Sequence, residues 1–381
     1  MVYIEVTARY CVRLPTPETR MRALCFLLVV CGALAADVVD PASCRSFPCL
    51  IFNDDFNDLN NNIWKPEITM SGGGNWEFQM YLKDHSLSYI RDSALIIKPE
   101  LTSNRLTEDF LFNNELNLGS ACTDNRDFGC VRRGTSENII NPIMSAKLTT
   151  QPSFAFRYGR VEVRAKMPRG DWLWPAIWLL PKDSQYGGWP ASGEIDIVES
   201  RGNTEYGNLG HQHAGSTLHW GPNPQANMFT KTHKTYSAND GSFGYNFHTW
   251  RLDWTKDNMK FYVDGQLQLT VDPGTNFWDL SGLGSSQNNP WKDGNKMAPF
   301  DQKFYIILNL AVGGTNGYFP DGVASNPAKP WSNASPHAPR DFWNARESWL
   351  PSWKHGEWSI SEEAALKVDY VKVWKMESIE Q

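Results

Sequence analysis

The chain has 381 residues, room for one large or two ordinary domains at roughly 100 to 200 residues each. Its 41% hydrophobic and 20% charged residues exclude a chain disordered throughout. Lys and Arg number 36 against 42 Asp and Glu, and a net charge of -6 leaves no basic surplus for a phosphate backbone, so nucleic acid is not an expected partner. The excess is aromatic, with 17 Trp, 13 Tyr and 19 Phe, and planar rings in such number suit the faces of sugars.

The first apolar run, residues 23–36, has the length of a signal peptide's hydrophobic core and falls short of the roughly 18 to 20 residues of a membrane span. Met21 and Arg22 supply a start and a positive flank, and Ala33-Leu34-Ala35 a small-x-small cleavage pattern before Ala36. The expectation is an upstream extension over residues 1–20, a signal over 21–36, and a secreted, extracellular protein without a membrane partner. Loss of the leader removes Cys11, Cys25 and Cys31 and leaves Cys44, Cys49, Cys122 and Cys130, an even number suited to an oxidising compartment. Four cysteines allow three pairings; Cys44 with Cys49 and Cys122 with Cys130 each close a short loop and are favoured, and no CxxC spacing supports zinc. Asn333-Ala334-Ser335 forms a glycosylation sequon, weakened by Pro336.

Period-two patterns then dominate. A strand begins at Leu50, soon after the leader, and residues 159–167 alternate Arg160, Glu162 and Arg164 with Val161, Val163 and Ala165. Residues 260–271 read as a hairpin turning at Asp264-Gly265, residues 304–312 as a buried central strand ended by Gly313-Gly314, and residues 366–374 as a last alternating strand. Many short strands between turns predict an all-β jelly-roll sandwich of two antiparallel sheets. No charged linker or repeat divides residues 37–381, so a single domain with turn-rich insertions at 102–141, 281–299 and 316–356 is expected.

Glu194-Ile195-Asp196-Ile197-Val198-Glu199 places three carboxylates within six positions. On a strand Glu194 and Asp196 share one face, and a bulge at Ile197-Val198 would return Glu199 to it. Backbones roughly 13 to 15 Å apart then let two leaning Glu side chains approach to about 5 to 6 Å, the spacing of a retaining glycosidase pair. Like charges that close raise the pKa of one member, which stays an acid while the other attacks. Upstream lies Asp171-Trp172-Leu173-Trp174-Pro175-Ala176-Ile177-Trp178 and downstream His219-Trp220-Gly221, a tryptophan-rich setting suited to a carbohydrate cleft. HExxH, Walker and GxSxG motifs are absent, so metalloprotease, nucleotide and serine-hydrolase chemistries lack their residues.

The acidic segment resembles the glutamate-any-aspartate-any-any-glutamate signature of glycoside hydrolase family 16 in its bulged laminarinase form. Supporting segments are Gly74-Asn75-Trp76-Glu77-Phe78-Gln79, Tyr158-Gly159-Arg160-Val161-Glu162-Val163-Arg164, Trp174-Pro175-Ala176-Ile177-Trp178-Leu179-Leu180-Pro181, Asn309-Leu310-Ala311-Val312-Gly313-Gly314 and Val368-Asp369-Tyr370-Val371-Lys372-Val373-Trp374. The likeness extends over residues 49–374 and is nearest to animal β-1,3-glucanases and invertebrate β-1,3-glucan-binding recognition proteins, including earthworm cytolytic-factor-like proteins. It implies a cleft on the concave sheet face, Glu194 as nucleophile, Glu199 as acid and base, and Asp196 as the carboxylate that tunes them. It also implies substrate contacts from Asn75, Trp76, Trp174 and Trp178, with an ordinary core role open for Trp76 and with Trp174 and Trp178, four apart on one strand face, either both lining the cleft or both packing inward. Arg160 is placed either to bind sugar or to pair with an acid, His219 either by the acid/base or in a structural role, and Trp349 and Trp353 either in the cleft or fastening their loop. The expected function is a secreted endo-β-1,3-glucanase acting on laminarin-type glucans with retention, with a glucan-binding innate immune protein as the alternative. A monomer needing no cofactor is expected; relatives often hold a structural calcium, for which Asp54, Asp55 and Asp369 supply oxygen chemistry, though as ordinary surface acids they need no ion.

Overall fold

Strands form where the sequence alternates, and the alternation sets which face is buried. In Gly159–Lys166 the side chains of Val161, Val163 and Ala165 are fully buried, and Arg160, Glu162 and Arg164 point the other way. Met259–Val263 and Gln266–Val271 pair across a two-residue turn in which Asp264 and Gly265 both take positive φ, 49° and 77°, as a turn that follows the sheet twist requires. Every residue of Phe304–Val312 is buried, because this strand lies between Leu173–Pro181 and Lys147–Thr149 with its faces covered.

A computed structural model describes residues 37–377 of the protein. The extension over 1–20, the signal over 21–36 and Cys11, Cys25 and Cys31 lie outside the described residues. A seven-stranded antiparallel sheet runs in the order His233–Ser237, His213–His219, Glu194–Ser200, Leu173–Pro181, Phe304–Val312, Lys147–Thr149, Lys65–Pro66. A nine-stranded antiparallel sheet has Gly159–Lys166 between Leu366–Lys375 and His248–Trp254. Their inner faces share one buried cluster, from Val161, Val163 and Trp250 to Ile177, Ile195 and Leu308. Two antiparallel sheets with crossing connections make the expected jelly-roll sandwich.

The insertions hold more helix than their turn-rich sequences predict. Residues 102–141 contain Ser103–Leu106, Glu108–Asn113 and a ribbon of Glu115–Asn117 with Val131–Arg133. The Cys122–Cys130 disulfide closes this ribbon, and Cys44–Cys49 forms as well. Ala338–Asn344 and Arg346–Lys354 are helices that bury Trp349 and Trp353 completely. Trp349 stacks on Phe342 at 4.3 Å and Trp353 Nε1 donates to the Asp171 carbonyl at 2.8 Å, so both fasten the insertion and neither lines a cleft. Asn333 Nδ2 donates to the Phe319 carbonyl and its Oδ1 accepts from Lys329, which engages the sequon's amide inside the fold.

Candidate active site

The acidic strand Glu194–Ser200 is irregular against both neighbours. Against Leu173–Pro181, Trp178 faces Asp196 and Ile177 faces Val198, which leaves Ile197 without a partner. Against His213–His219, Asp196 faces Thr217 and Glu199 faces Gly215, so three steps on one strand match two on the other. One extra residue is the definition of a bulge. Ile195, Ile197 and Val198 fill the core, and the three carboxyl groups share the outer face of the seven-stranded sheet. On that face Asp196 is only 3% exposed.

Each Glu receives an indole N–H. Trp174 Nε1 donates to Glu199 Oε1 at 2.8 Å, and Trp189 Nε1 to Glu194 Oε2 at 3.0 Å. His219, directly across from Glu194 in the ladder, brings Nε2 to 3.4 Å from Asp196 Oδ2 and 3.8 Å from Glu194 Oε1. Burial lowers the pKa of His219 and keeps the ring neutral. Burial raises all three carboxyl groups. Glu194 is pushed up to about 7 against the opposing pull of the Trp189 hydrogen bond and Lys147. Asp196, desolvated and set between the charges of Glu194 and Glu199, rises well above the usual carboxylate range. Of the three, Asp196 is the member that keeps a proton most firmly.

Around the acids, Trp174 stacks on Tyr318 with ring centroids 3.9 Å apart and planes 4° from parallel, and the Arg201 guanidinium lies 3.8 Å over Tyr318. Trp178 is half-buried on the same strand face, donating Nε1 to Asn309 Oδ1 at 2.6 Å, with the Lys147 ammonium 5.0 Å over its ring. Asn75 sits beyond the Gly72-Gly73-Gly74 turn, its Nδ2 donating to Glu77 Oε1 and its Oδ1 accepting from Asn316. Gly314 explains how close that turn comes: a Cβ there would stand 3.1 Å from the Asn75 carbonyl and 3.7 Å from Trp174 Cζ3. Trp76 is 51% exposed, which excludes the core role.

Arg160 does not belong to this group. It lies on the nine-stranded sheet, on the face away from the core, where Nε and Nη2 hold both Asp253 carboxylate oxygens at 2.6 and 3.0 Å. Of its two readings, pairing with an acid is the one found. The three acids considered for calcium are also engaged separately: Asp54 accepts from Trp64 and the Phe56 amide, Asp55 from Asn53 and Lys372, and Asp369 from Arg164. Each of the three meets donors of its own. Sequence reading missed Trp189 and Tyr318. Trp189 stands five positions before Glu194, a proximity that could have found it; Tyr318 is brought to Trp174 only by the folded insertion.

A family model described as glycosyl hydrolases family 16 matches residues 124–277. The β-1,3-glucan-binding protein of Penaeus monodon is 66% identical over 361 residues, covering 93% of this chain and 98% of that protein. The β-1,3-glucan-binding protein 1 of Galleria mellonella is 34% identical over 89% of this chain, which spans 66% of that protein's length. Among solved structures, the endo-β-1,3-glucanase from Pyrococcus furiosus superposes with a TM-score of 0.54 at 25% identity, covering 87% of this chain and 95% of that one.

Proposed function

The chain belongs to glycosyl hydrolase family 16, among the invertebrate β-1,3-glucan-binding proteins, and from that premise we propose that it is a secreted protein that recognises β-1,3-glucan in the cleft over Glu194, Asp196 and Glu199. The observation that carries this reading is the 66% identity to a protein named for binding that polymer. The exposed ring of Trp189 and the half-buried ring of Trp178 beside the acids supply the flat apolar surfaces that sugar rings stack on. Two disulfides support an oxidising, extracellular setting. No helix among the described residues is long and apolar enough to cross a membrane. Equilibrium binding to laminarin beside lichenan, agarose and chitin tests the reading: selective retention of laminarin is expected, and equal or absent binding to all four contradicts it.

A second reading, hydrolysis in the same cleft, is favoured by one observation, the bulge that aligns all three acids on one face. Glu194 as a carboxylate forms a bond to the anomeric carbon as the glycosidic bond breaks, and the proton of Glu199 passes to the departing oxygen. Water then attacks the same carbon, giving its proton to Glu199 while the bond to Glu194 breaks. Asp196 contributes by staying neutral beside Glu194, which spares the nucleophile a repelling charge as it ionises near about pH 7. Two inversions give net retention, so proton NMR of the first products from laminarin should show the β-anomer. Initial α-anomer would mean that the two glutamates flank a water.

A further inference from the structure

Glu194, Asp196 and His219 each present a ligand atom, and the three atoms lie within 4.8 Å of one another. The two separations from His219 Nε2, 3.4 Å to Asp196 Oδ2 and 3.8 Å to Glu194 Oε1, approach the spacing of ligands that share one ion. Ligand atoms about 2.0 to 2.1 Å from a tetrahedral zinc stand roughly 3.3 Å apart. Asp196 is 3% exposed, and its Oδ2, directed at this cluster, has no hydrogen-bond partner among the described residues. A buried polar oxygen left in that state is costly, and a cation between the three side chains would satisfy it.

The donor set decides which cation. Two carboxylates with one neutral imidazole suit zinc and its first-row neighbours, whereas calcium and magnesium prefer oxygen alone. The support around the ligands also fits. Trp189 occupies Glu194 Oε2 and leaves Oε1 facing the histidine. Nδ1 of His219 lies 2.8 Å from the Asn227 side-chain amide. As placed, the amide presents Nδ2 to the ring and its Oδ1 accepts from the Phe229 amide at 3.3 Å; an ion on Nε2 requires the amide to turn, so that Oδ1 takes the Nδ1 proton as it does for metal-binding histidines generally.

We propose that Glu194, Asp196 and His219 form a binding site for a divalent transition-metal ion, with zinc as the ion to test, and that the bound ion excludes glucan from the cleft. The exclusion rests on the glucan-binding reading above; the ion site does not. An ion on Glu194 Oε1 sits where the sugar's anomeric carbon would have to come, so metal and polysaccharide compete for one place.

Calorimetric titration of zinc chloride into the chelator-treated protein tests the site. One zinc per chain is expected. His219→Gln and Glu194→Gln, each checked for folding by circular dichroism, should weaken it at least about 10-fold, the smallest loss seen when even a supporting contact of a metal ligand is removed. His213→Gln, outside the cluster, should not. Absence of zinc binding, or binding that neither of the two cluster variants weakens, overturns the site. Saturating zinc should lower laminarin affinity at least about 10-fold, with EDTA restoring it. Laminarin that binds equally well to the zinc-loaded protein overturns the exclusion. A metal-free protein that never binds laminarin overturns the glucan reading and leaves the ion site standing.

Discussion

Gly159–Lys166 and Glu194–Ser200 follow the same rule, charged side chains alternating with apolar ones inside a sheet, and treat their charges in opposite ways. On the first, Arg160 pairs with Asp253, Arg164 with Asp369 and Lys166 with Glu363, while Glu162 accepts from Tyr370. On the second, Glu194 and Glu199 receive only neutral indole N–H groups, and Asp196 Oδ2 receives nothing among the described residues. Alternation settles which face is buried on both strands. It does not say which charges are compensated, and uncompensated buried charge is what marks a reactive or ligand-binding site.

The largest break in the comparison should come from amide substitutions on the two strands. Glu194→Gln is expected to abolish laminarin hydrolysis, by more than about 1,000-fold in kcat/KM, while retaining glucan binding. Glu162→Gln should leave the rate within about twofold. Equal rates in wild type and Glu194→Gln would remove Glu194 from the chemistry. Next in size is the apolar half of the acidic strand, where Ile195→Ala should cost about 2–5 kcal/mol in urea unfolding through lost burial and a cavity.

The charge itself is the third test. Folded, Glu194 holds its proton up to about pH 7, against an ordinary value of 4.5. Between those values the folded state binds more protons than the unfolded one, so stability falls as pH rises across the window. Glu194→Gln removes this fall, with stability similar to wild type near about pH 4 and higher by about 1–3 kcal/mol near about pH 8. Wild type and variant with parallel pH profiles would show that Glu194 ionises as freely as a surface acid. A smaller effect is expected from Trp189→Ala, a loss of about 1–2 kcal/mol in laminarin affinity. Smallest of all, Arg160→Ala should leave glucan affinity unchanged and cost about 1 kcal/mol of stability, the upper end for a surface ion pair because this one is partly buried and bidentate.

What was legible in the sequence is what short-range geometry dictates. The hairpin at Asp264-Gly265 follows from a two-residue turn, and the bulge at Ile197 from the need to bury Ile195, Ile197 and Val198 while keeping three acids on one side. What was not legible depends on partners far along the chain. Arg160 finds Asp253 only when two strands pair, and Tyr318 reaches Trp174 only when its insertion folds back over the sheet. Trp349 and Trp353 stay open between cleft and loop in the sequence because a helix carrying Pro351 is hard to read in a turn-rich stretch, and that helix buries both.

The central claim is that glucan lies over the bulged acidic strand, and the crystal structure of Glu194→Gln soaked with a laminarin oligosaccharide tests it most directly. The account predicts a chain of sugar rings across the outer face of the seven-stranded sheet, with one ring beside Trp189 and a glycosidic oxygen within hydrogen-bonding reach of Glu199. Sugar bound only elsewhere, as in the polar crevice between Tyr186 and Asn295, with the face over Asp196 empty, would contradict it.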